Sequence, residues 1–183
     1  MSAIYFLRYA HLAYFSKPKS ERVVYRAIRR LRPRSIVEIG VGDGARSQRM
    51  IKLCGRIVGA EHFRYTGIDL FEAREATQPG ITLKLAHKIL KPLAAKVQLI
   101  PGDPFSALSR TANSLTQTDL IIIRSDQEAQ AMARAWFYLP RMLSERCQVL
   151  HERESSSGEK QFRRLSIAEA TELAKDCSPR RAA

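Results

Sequence analysis

The chain has 183 residues, of which 45% are hydrophobic and 27% charged, a balance that excludes wholesale disorder and fits one globular unit with a sizeable core. No segment approaches the roughly 20 uninterrupted apolar residues that a membrane-spanning helix needs, so we expect a cytoplasmic protein. Lys and Arg total 31 against 18 Asp and Glu, and the resulting net charge of +13 raises the question of an anionic partner.

The first 34 residues are predicted to form a basic and aromatic helical segment. Tyrosines and phenylalanines are frequent in residues 3–15, which favours a lid, a segment packed on a sheet or a subunit contact, with an interfacial helix as a further alternative. Residues 21–31 carry apolar side chains at helical spacing and predict an amphipathic helix that stops before Pro33.

Basic residues concentrate in this segment, where nine Lys and Arg oppose only Glu21. Five arginines form a candidate patch for nucleic acid or another polyanion: Arg26, Arg29, Arg30, Arg32 and Arg34. RNA, an anionic glycan or lipid head groups fit such a patch, since clustered Lys and Arg make phosphate contacts. The plainer interpretation is a solvated helix, because no RNA-binding signature interleaves aromatic residues with these charges.

A short apolar run over residues 35–39 predicts a strand that ends in a glycine-rich turn. Three glycines stand at alternate positions: Gly40, Gly42 and Gly44. Such a turn lets a ligand contact backbone, and with Ala45 it also satisfies the dinucleotide fingerprint. Glu38 and Asp43 argue against a pyrophosphate, which needs bare N–H groups and positive potential. A cationic ligand without phosphate, such as S-adenosylmethionine, suits an acidic loop better.

Strand and helix patterns alternate along the rest of the chain. Three segments carry apolar residues at helical spacing: residues 46–53, 81–94 and 126–143. Asp126 is a candidate N-cap of the last segment. Repeated β-then-α units predict an α/β fold, with a Rossmann-like doubly wound sheet that is mostly parallel and has helices on both faces.

The glycine turn resembles the first motif of the class I S-adenosylmethionine-dependent methyltransferases. That motif, E-x-G-x-G-x-G, matches Glu38, Gly40, Gly42 and Gly44. Residues 65–70, 97–104 and 118–123 are similar to the family's second, third and fourth strands and their turns. The resemblance covers roughly residues 20–150 and implies S-adenosylmethionine as the cofactor, with these four residues among those that hold it.

Two further acids complete the cofactor site that the resemblance implies. Asp69 ends the second predicted strand and would hold the two ribose hydroxyls, while Asp103 follows the third and would face the adenine amino group. Each also has a plainer interpretation. Asp69 would cap the following segment, and Asp103 would belong to a turn with Gly102 and Pro104. Taken together, the acids favour the cofactor-binding interpretation, because ligands of open parallel sheets lie outside the carboxyl ends of the strands, where these acids would converge.

The C-terminal part departs from the family. A strand is predicted at residues 148–152, a turn at 155–158, a second strand at 160–165, and a helix opened by a capping box. These elements leave no room for the family's full closing hairpin, so we expect a shortened sheet within a domain over residues 35–177. The tail, residues 178–183, is predicted to be flexible.

The turn after the fourth strand also departs from the family. Close relatives tend to read D-G-D-H there, with a metal ligand and a base, whereas this chain reads Arg124-Ser125-Asp126-Gln127. Arginine opposes a divalent cation and glutamine cannot take a proton, so we expect no metal. Three scattered cysteines likewise indicate no zinc site. Asp126 is the nearby candidate for a catalytic base.

Two function classes follow from these observations. The first is a metal-independent methyltransferase that acts on a small molecule or an anionic polymer. The second is a catalytically silent binding or scaffold protein that keeps the fold and binds RNA or another polyanion.

Overall fold

A six-stranded sheet runs through the centre of the protein, in the order β3-β2-β1-β4-β5-β6. The structure is a computed structural model that describes residues 7, 9–75, 77–94 and 96–177. Its strands are β1 (Ser35–Ile39), β2 (Arg64–Asp69), β3 (Lys96–Pro101), β4 (Thr118–Ile123), β5 (Leu143–Glu154) and β6 (Lys160–Leu165). The first five strands are parallel, and β6 pairs antiparallel with β5.

Helices cover both faces of the sheet. The α-helices are α1 (Arg22–Leu31), α2 (Ala45–Val58), α3 (Leu83–Leu90), α4 (Pro104–Thr111), α5 (Ala129–Ala135) and α6 (Ile167–Asp176). Short helical turns lie at His11–Phe15, Lys19–Glu21, Ala60–His62, Phe71–Ala73, Lys91–Leu93, Ala112–Ser114 and Trp136–Arg141. Helices α1, α2 and α3 pack on one face and α4, α5 and α6 on the other. This confirms the predicted Rossmann-like α/β fold.

The central strands are buried on both faces because they are continuous apolar runs. Every residue of β1 and of β4 is buried. Successive side chains of a strand point to opposite faces. Ile36 and Leu120 therefore pack under α1 and α2, while Val37 and Ile121 pack under α4 and α5. This arrangement fixes the carboxyl ends of β1 and β4 side by side.

Two predicted helices have different bounds in the structure. The segment predicted at 81–94 is α3 followed by the turn Lys91–Leu93. The segment predicted at 126–143 is α5 followed by the turn Trp136–Arg141, and Glu128 rather than Asp126 occupies the N-cap position. The interpretation of Asp126 as an N-cap is therefore wrong. Its carboxylate instead pairs with Arg124 at 3.0 Å.

The C-terminal hairpin and helix follow the prediction. β5 is longer than predicted, and it turns back at residues 155–158 into β6. Ser166 and Glu169 form the predicted capping box at the start of α6. The sheet thus ends at β6, which confirms the shortened C-terminal part.

The basic helix at the N-terminal end belongs to the same core as the sheet. Tyr25 and Ile28 of α1 are fully buried and pack with Ile36 of β1. The boundary predicted at residue 34 stays a prediction. Residues 1–6 and 8 lie outside the described residues, as does the tail predicted to be flexible over 178–183. None of the helices described is long and apolar enough to cross a membrane.

Candidate cofactor site

The glycine loop joins β1 to α2 at the carboxyl edge of the sheet. Gly40, Gly42 and Gly44 have φ angles of 93°, 64° and 76°, a region that favours glycine. The loop is tied to both neighbouring strands, because the Gly40 N–H donates to Ile68 O at 2.8 Å and the Arg124 N–H donates to Ile39 O at 3.0 Å. Its backbone is therefore held in place between β2 and β4.

The loop's three glycines face different surroundings. A Cβ at Gly40 would lie 2.7 Å from the Gln127 side-chain nitrogen, and one at Gly42 would overlap the Arg124 guanidinium. A Cβ at Gly44 would instead lie 2.9 Å from the methyl end of Ile81. Gly40 and Gly42 therefore lie under polar groups that follow β4, whereas Gly44 lies against apolar packing.

Glu38 lies beneath the loop with no exposed surface. Its carboxylate accepts from Arg46 Nε at 2.8 Å and from Ser47 Oγ at 2.6 Å, and Tyr65 donates a third hydrogen bond. Arg46 also donates to Gly40 O at 3.2 Å. Glu38 thus braces the loop through Arg46, and its predicted contact with the cofactor stays a prediction.

The buried residues Glu38 and Arg46 keep their charges because each faces the opposite charge. Burial alone would lower the pKa of Arg46, but the carboxylate of Glu38, supported by Glu152 and Glu21, raises that pKa above its ordinary value. Burial also raises the pKa of Tyr65, so its phenol stays a hydrogen-bond donor to Glu38. Both carboxylate oxygens of Glu38 accept hydrogen bonds, so the pair is a charged, hydrogen-bonded element of the core.

Asp69 lies at the carboxyl end of β2, beside the loop, and is 4% exposed. Its carboxylate accepts the Gly42 N–H at 2.9 Å and the Phe71 N–H at 3.1 Å. Arg74, from the segment after β2, also donates to it and forms an ion pair. An acid held by loop backbone at the sheet edge is suited to binding hydroxyl groups, but Arg74 occupies part of its acceptor capacity.

Asp103 is the N-cap of α4. Its carboxylate accepts the N–H groups of Phe105 at 2.9 Å and Ser106 at 3.0 Å, and Pro104 occupies the first turn. Burial raises the pKa of Asp103, but the hydrogen bonds from Ser106 and the helix backbone outweigh it and lower the pKa overall. The plainer interpretation, local backbone chemistry, accounts for its hydrogen bonds.

The turn after β4 reaches over the loop. Arg124 and Asp126 form an ion pair at 3.0 Å, with side chains 23% and 43% exposed. The Gln127 side chain donates to Asp126 at 2.9 Å. Asp126, the predicted base, is therefore exposed at the loop and engaged by two neighbours.

A cavity of about 580 Å³ opens beside the loop, toward β4 and β5. Its charged lining residues are Lys19, Glu21, Asp43, Arg46, Arg124, Glu152, Glu159 and Lys160. Sequence reasoning missed Glu152, which is 4% exposed and accepts from the Ser125 hydroxyl at 3.2 Å. The sequence offered no local signal for it, because Arg153 and Glu154 directly after it are charged as well.

The five arginines of the predicted patch are divided among different surroundings. Arg26 and Arg30 lie near Arg164 of β6, and together with burial they lower the pKa of Arg164. Arg29 stacks on Tyr9 at 5.8 Å, Arg34 lines a separate cavity at the amino ends of the strands, and Arg32 follows α1. Two of the five predicted arginines, Arg26 and Arg30, therefore lie close to Arg164 in the structure.

No group of three potential metal ligands occurs among the residues described. No protein-family model matches the sequence, and a search of curated proteins finds no match.

The solved structures that this chain resembles include O-methyltransferases. The O-methyltransferase TomG from Streptomyces achromogenes matches with a TM-score of 0.56 and 14% identity over 83% of this chain and 66% of TomG. A predicted caffeoyl-CoA O-methyltransferase from Staphylococcus aureus matches with a TM-score of 0.54 and 15% identity, over 96% and 80%. A predicted O-methyltransferase from Nostoc punctiforme matches with a TM-score of 0.51 and 10% identity, over 80% and 40%.

This chain thus spans less than two thirds of TomG and of the Nostoc protein. At these identities the similarity establishes the fold, which is that of the class I S-adenosylmethionine-dependent methyltransferases.

Proposed function

We propose that this protein is an S-adenosylmethionine-dependent methyltransferase that works without a metal ion. The observation that carries the proposal is the glycine loop, whose three left-handed glycines lie beside Asp69 at the carboxyl ends of β1 and β2. This is the edge at which open parallel sheets bind ligands, and the fold is that of methyltransferases.

The residues at this edge fit the proposed cofactor. Asp69 would accept from the ribose hydroxyls, and Asp103 would lie toward the adenine. The side chains of Gln127 and Arg124 lie over Gly40 and Gly42, so both would shift aside when the ligand approaches the loop backbone there. Glu38 would hold the loop in shape from below. When bound, S-adenosylmethionine supplies a methyl group activated by the adjacent sulfonium.

Metal independence follows from the turn after β4. Arg124 holds a permanent positive charge where relatives place a metal ligand, and a second cation there would be repelled. The protein would therefore act by alignment, holding donor and acceptor at attacking distance. Asp126 stays the candidate base because its carboxylate lies at the mouth of the loop and is partly exposed.

The acceptor would bind in the cavity beside the loop. The cavity lining carries both signs of charge. Its basic residues include Arg46, Arg124 and Lys160, and its acidic residues include Glu21 and Glu152. Such a lining suits a small polar molecule.

The experiment is calorimetric titration with S-adenosylhomocysteine, followed by methyl transfer from labelled S-adenosylmethionine to a panel of polar acceptors. Saturable binding of S-adenosylhomocysteine together with methyl transfer to an acceptor supports the proposed methyltransferase activity. Absence of any binding by the folded protein contradicts the cofactor assignment.

A second candidate function is a catalytically silent scaffold that binds a polyanion. The observation that favours it is the basic cluster of Arg26, Arg30 and Arg164, in which burial and then the two neighbouring arginines lower the pKa of Arg164. Binding to heparin should weaken steeply with salt as counterions are released. Replacing these three arginines with Gln should flatten that slope. Cofactor binding without turnover, together with this salt dependence, supports the scaffold.

A further inference from the structure

The turn that carries Arg124 is fixed at both sides. Its first N–H donates to Ile39 O at 3.0 Å, and Ser125 donates to the Glu152 carboxylate from N at 3.3 Å and from Oγ at 3.2 Å. Because β1 and β5 hold the backbone, the Arg124 and Asp126 side chains start from a defined place above the loop.

Arg124 is the cation that lies directly over Gly42 of the loop. Its guanidinium lies against Gly42, where any Cβ would overlap it. The neighbouring Arg46 is occupied by Glu38 and by Gly40 O, and its side chain is only 6% exposed. A ligand group that needs a positive partner in this part of the site therefore meets Arg124.

The two ends of the site lie on opposite sides of β1. Asp69 ends β2 and Arg124 follows β4, and both strands pair with β1. Adjacent strands are just under 5 Å apart, so the ends of the site are separated by roughly 10 Å. In S-adenosylmethionine the ribose and the α-amino acid group lie at opposite ends of a flexible chain. With its ribose at Asp69, the ligand's amino acid group extends along the loop toward Arg124.

We propose that Arg124 and Asp126 form the receptor for the α-amino acid group of the cofactor. Arg124 binds the α-carboxylate and Asp126 accepts a hydrogen bond from the α-ammonium, so the existing ion pair is exchanged for two ion pairs with a zwitterion. Asp126 then holds the cofactor in place of acting as the candidate base, and the proposed methyl transfer proceeds by alignment alone. The inference rests on the proposed function and adds how the protein selects a ligand that carries this group.

The test compares two ligands that share the adenosine part. S-adenosylhomocysteine carries the amino acid group and 5′-methylthioadenosine lacks it. Arg124→Ala should weaken S-adenosylhomocysteine at least tenfold and change 5′-methylthioadenosine less than twofold. Arg124→Lys should recover only part of the loss, because lysine lacks the planar fork that binds a carboxylate at two points. Asp126→Asn should also weaken only S-adenosylhomocysteine.

The control is Arg56→Ala, which removes an exposed arginine near the end of α2 and should leave both affinities unchanged. An equal loss for both ligands in the Arg124 variants would overturn the proposal, and so would tighter binding of S-adenosylhomocysteine. If Arg124→Ala does not fold, the affinities for the two ligands are compared in Arg124→Lys and Asp126→Asn instead. A folded wild-type protein that binds neither ligand contradicts the proposed function itself, whereas binding without discrimination contradicts only the amino acid receptor.

Discussion

Glu38 and Asp69 end neighbouring parallel strands, and each forms an ion pair with an arginine, yet the two pairs differ in their surroundings. Arg46 and Ser47 of α2 and Tyr65 of β2 donate to Glu38 from packed elements of the core. Two backbone N–H groups of neighbouring turns and Arg74 donate to Asp69. An acid fixed by core side chains supports the fold, whereas an acid held by turn backbone at an edge keeps the capacity to bind a ligand.

The largest expected effect is on stability, at Glu38. Glu38→Ala leaves Arg46 as a buried charge without its carboxylate, and we expect the free energy of unfolding to fall by about 3–5 kcal/mol. Urea denaturation followed by circular dichroism measures this. The control is Glu172→Ala, which breaks an exposed pair with Lys175 and should cost about 0–1 kcal/mol. If Glu38→Ala lowers the free energy of unfolding no more than the control does, Glu38 does not stabilise the fold in the way that distinguishes it from Asp69.

The next effect concerns binding, at Asp69. Asp69→Ala should weaken S-adenosylhomocysteine at least tenfold, because two ribose hydroxyls lose a charged acceptor that contributes about 1.5–3 kcal/mol. Calorimetry measures the affinity, and Asp69→Asn, which keeps one acceptor, should give an intermediate loss. Unchanged affinity in a folded Asp69→Ala protein would show that Asp69, like Glu38, serves the fold alone.

A smaller effect in the opposite direction is expected at Arg74. Arg74→Ala frees Asp69 from its ion-pair partner, so S-adenosylhomocysteine should bind a few fold more tightly. Arg110, an exposed arginine on α4, offers the control variant Arg110→Ala, which should leave the affinity unchanged. Weaker binding in the Arg74 variant would mean that Arg74 contacts the ligand rather than competing with it.

The smallest expected effect is that of added metal ions. It extends the comparison of strand-end residues to β4, which is followed by Arg124 where β1 and β2 carry Glu38 and Asp69. Added magnesium or EDTA should leave S-adenosylhomocysteine affinity and methyl transfer unchanged, because a cation already occupies that position. Parallel titrations with each additive check this. A magnesium requirement would contradict the proposed metal-independent mechanism.

Local chemistry made much of the fold predictable from the sequence. The continuous apolar runs of β1 and β4 mark buried strands, and the glycines at 40, 42 and 44 mark a left-handed turn. Ser166 and Glu169 mark the start of α6 because both capping partners lie within four consecutive residues. Helix α4 was missed, although Asp103 and Pro104 form a helix start, because the same pair is also typical of turns.

The roles of the site residues depend on contacts between distant parts of the chain. Glu38 accepts from Tyr65, which is 27 residues away, and Glu152 accepts from Ser125 across the same separation. No local pattern encodes such pairs. Asp126 was interpreted as an N-cap for a local reason, because an acid before an apolar helical pattern is typical of one, whereas the helix begins only after Glu128.

The antiparallel strand β6 has a consequence for how copies of this protein meet. It is an outer strand of the sheet, so one row of its backbone N–H and C=O groups has no further strand beside it within the part of the chain that the structure describes. Lys160, Arg163 and Arg164 lie exposed along this strand. Positive side chains on an outer strand oppose the approach of a second, identical strand, because like charges would face each other across the new ladder. The shortened sheet therefore ends in a strand whose own charge discourages self-association.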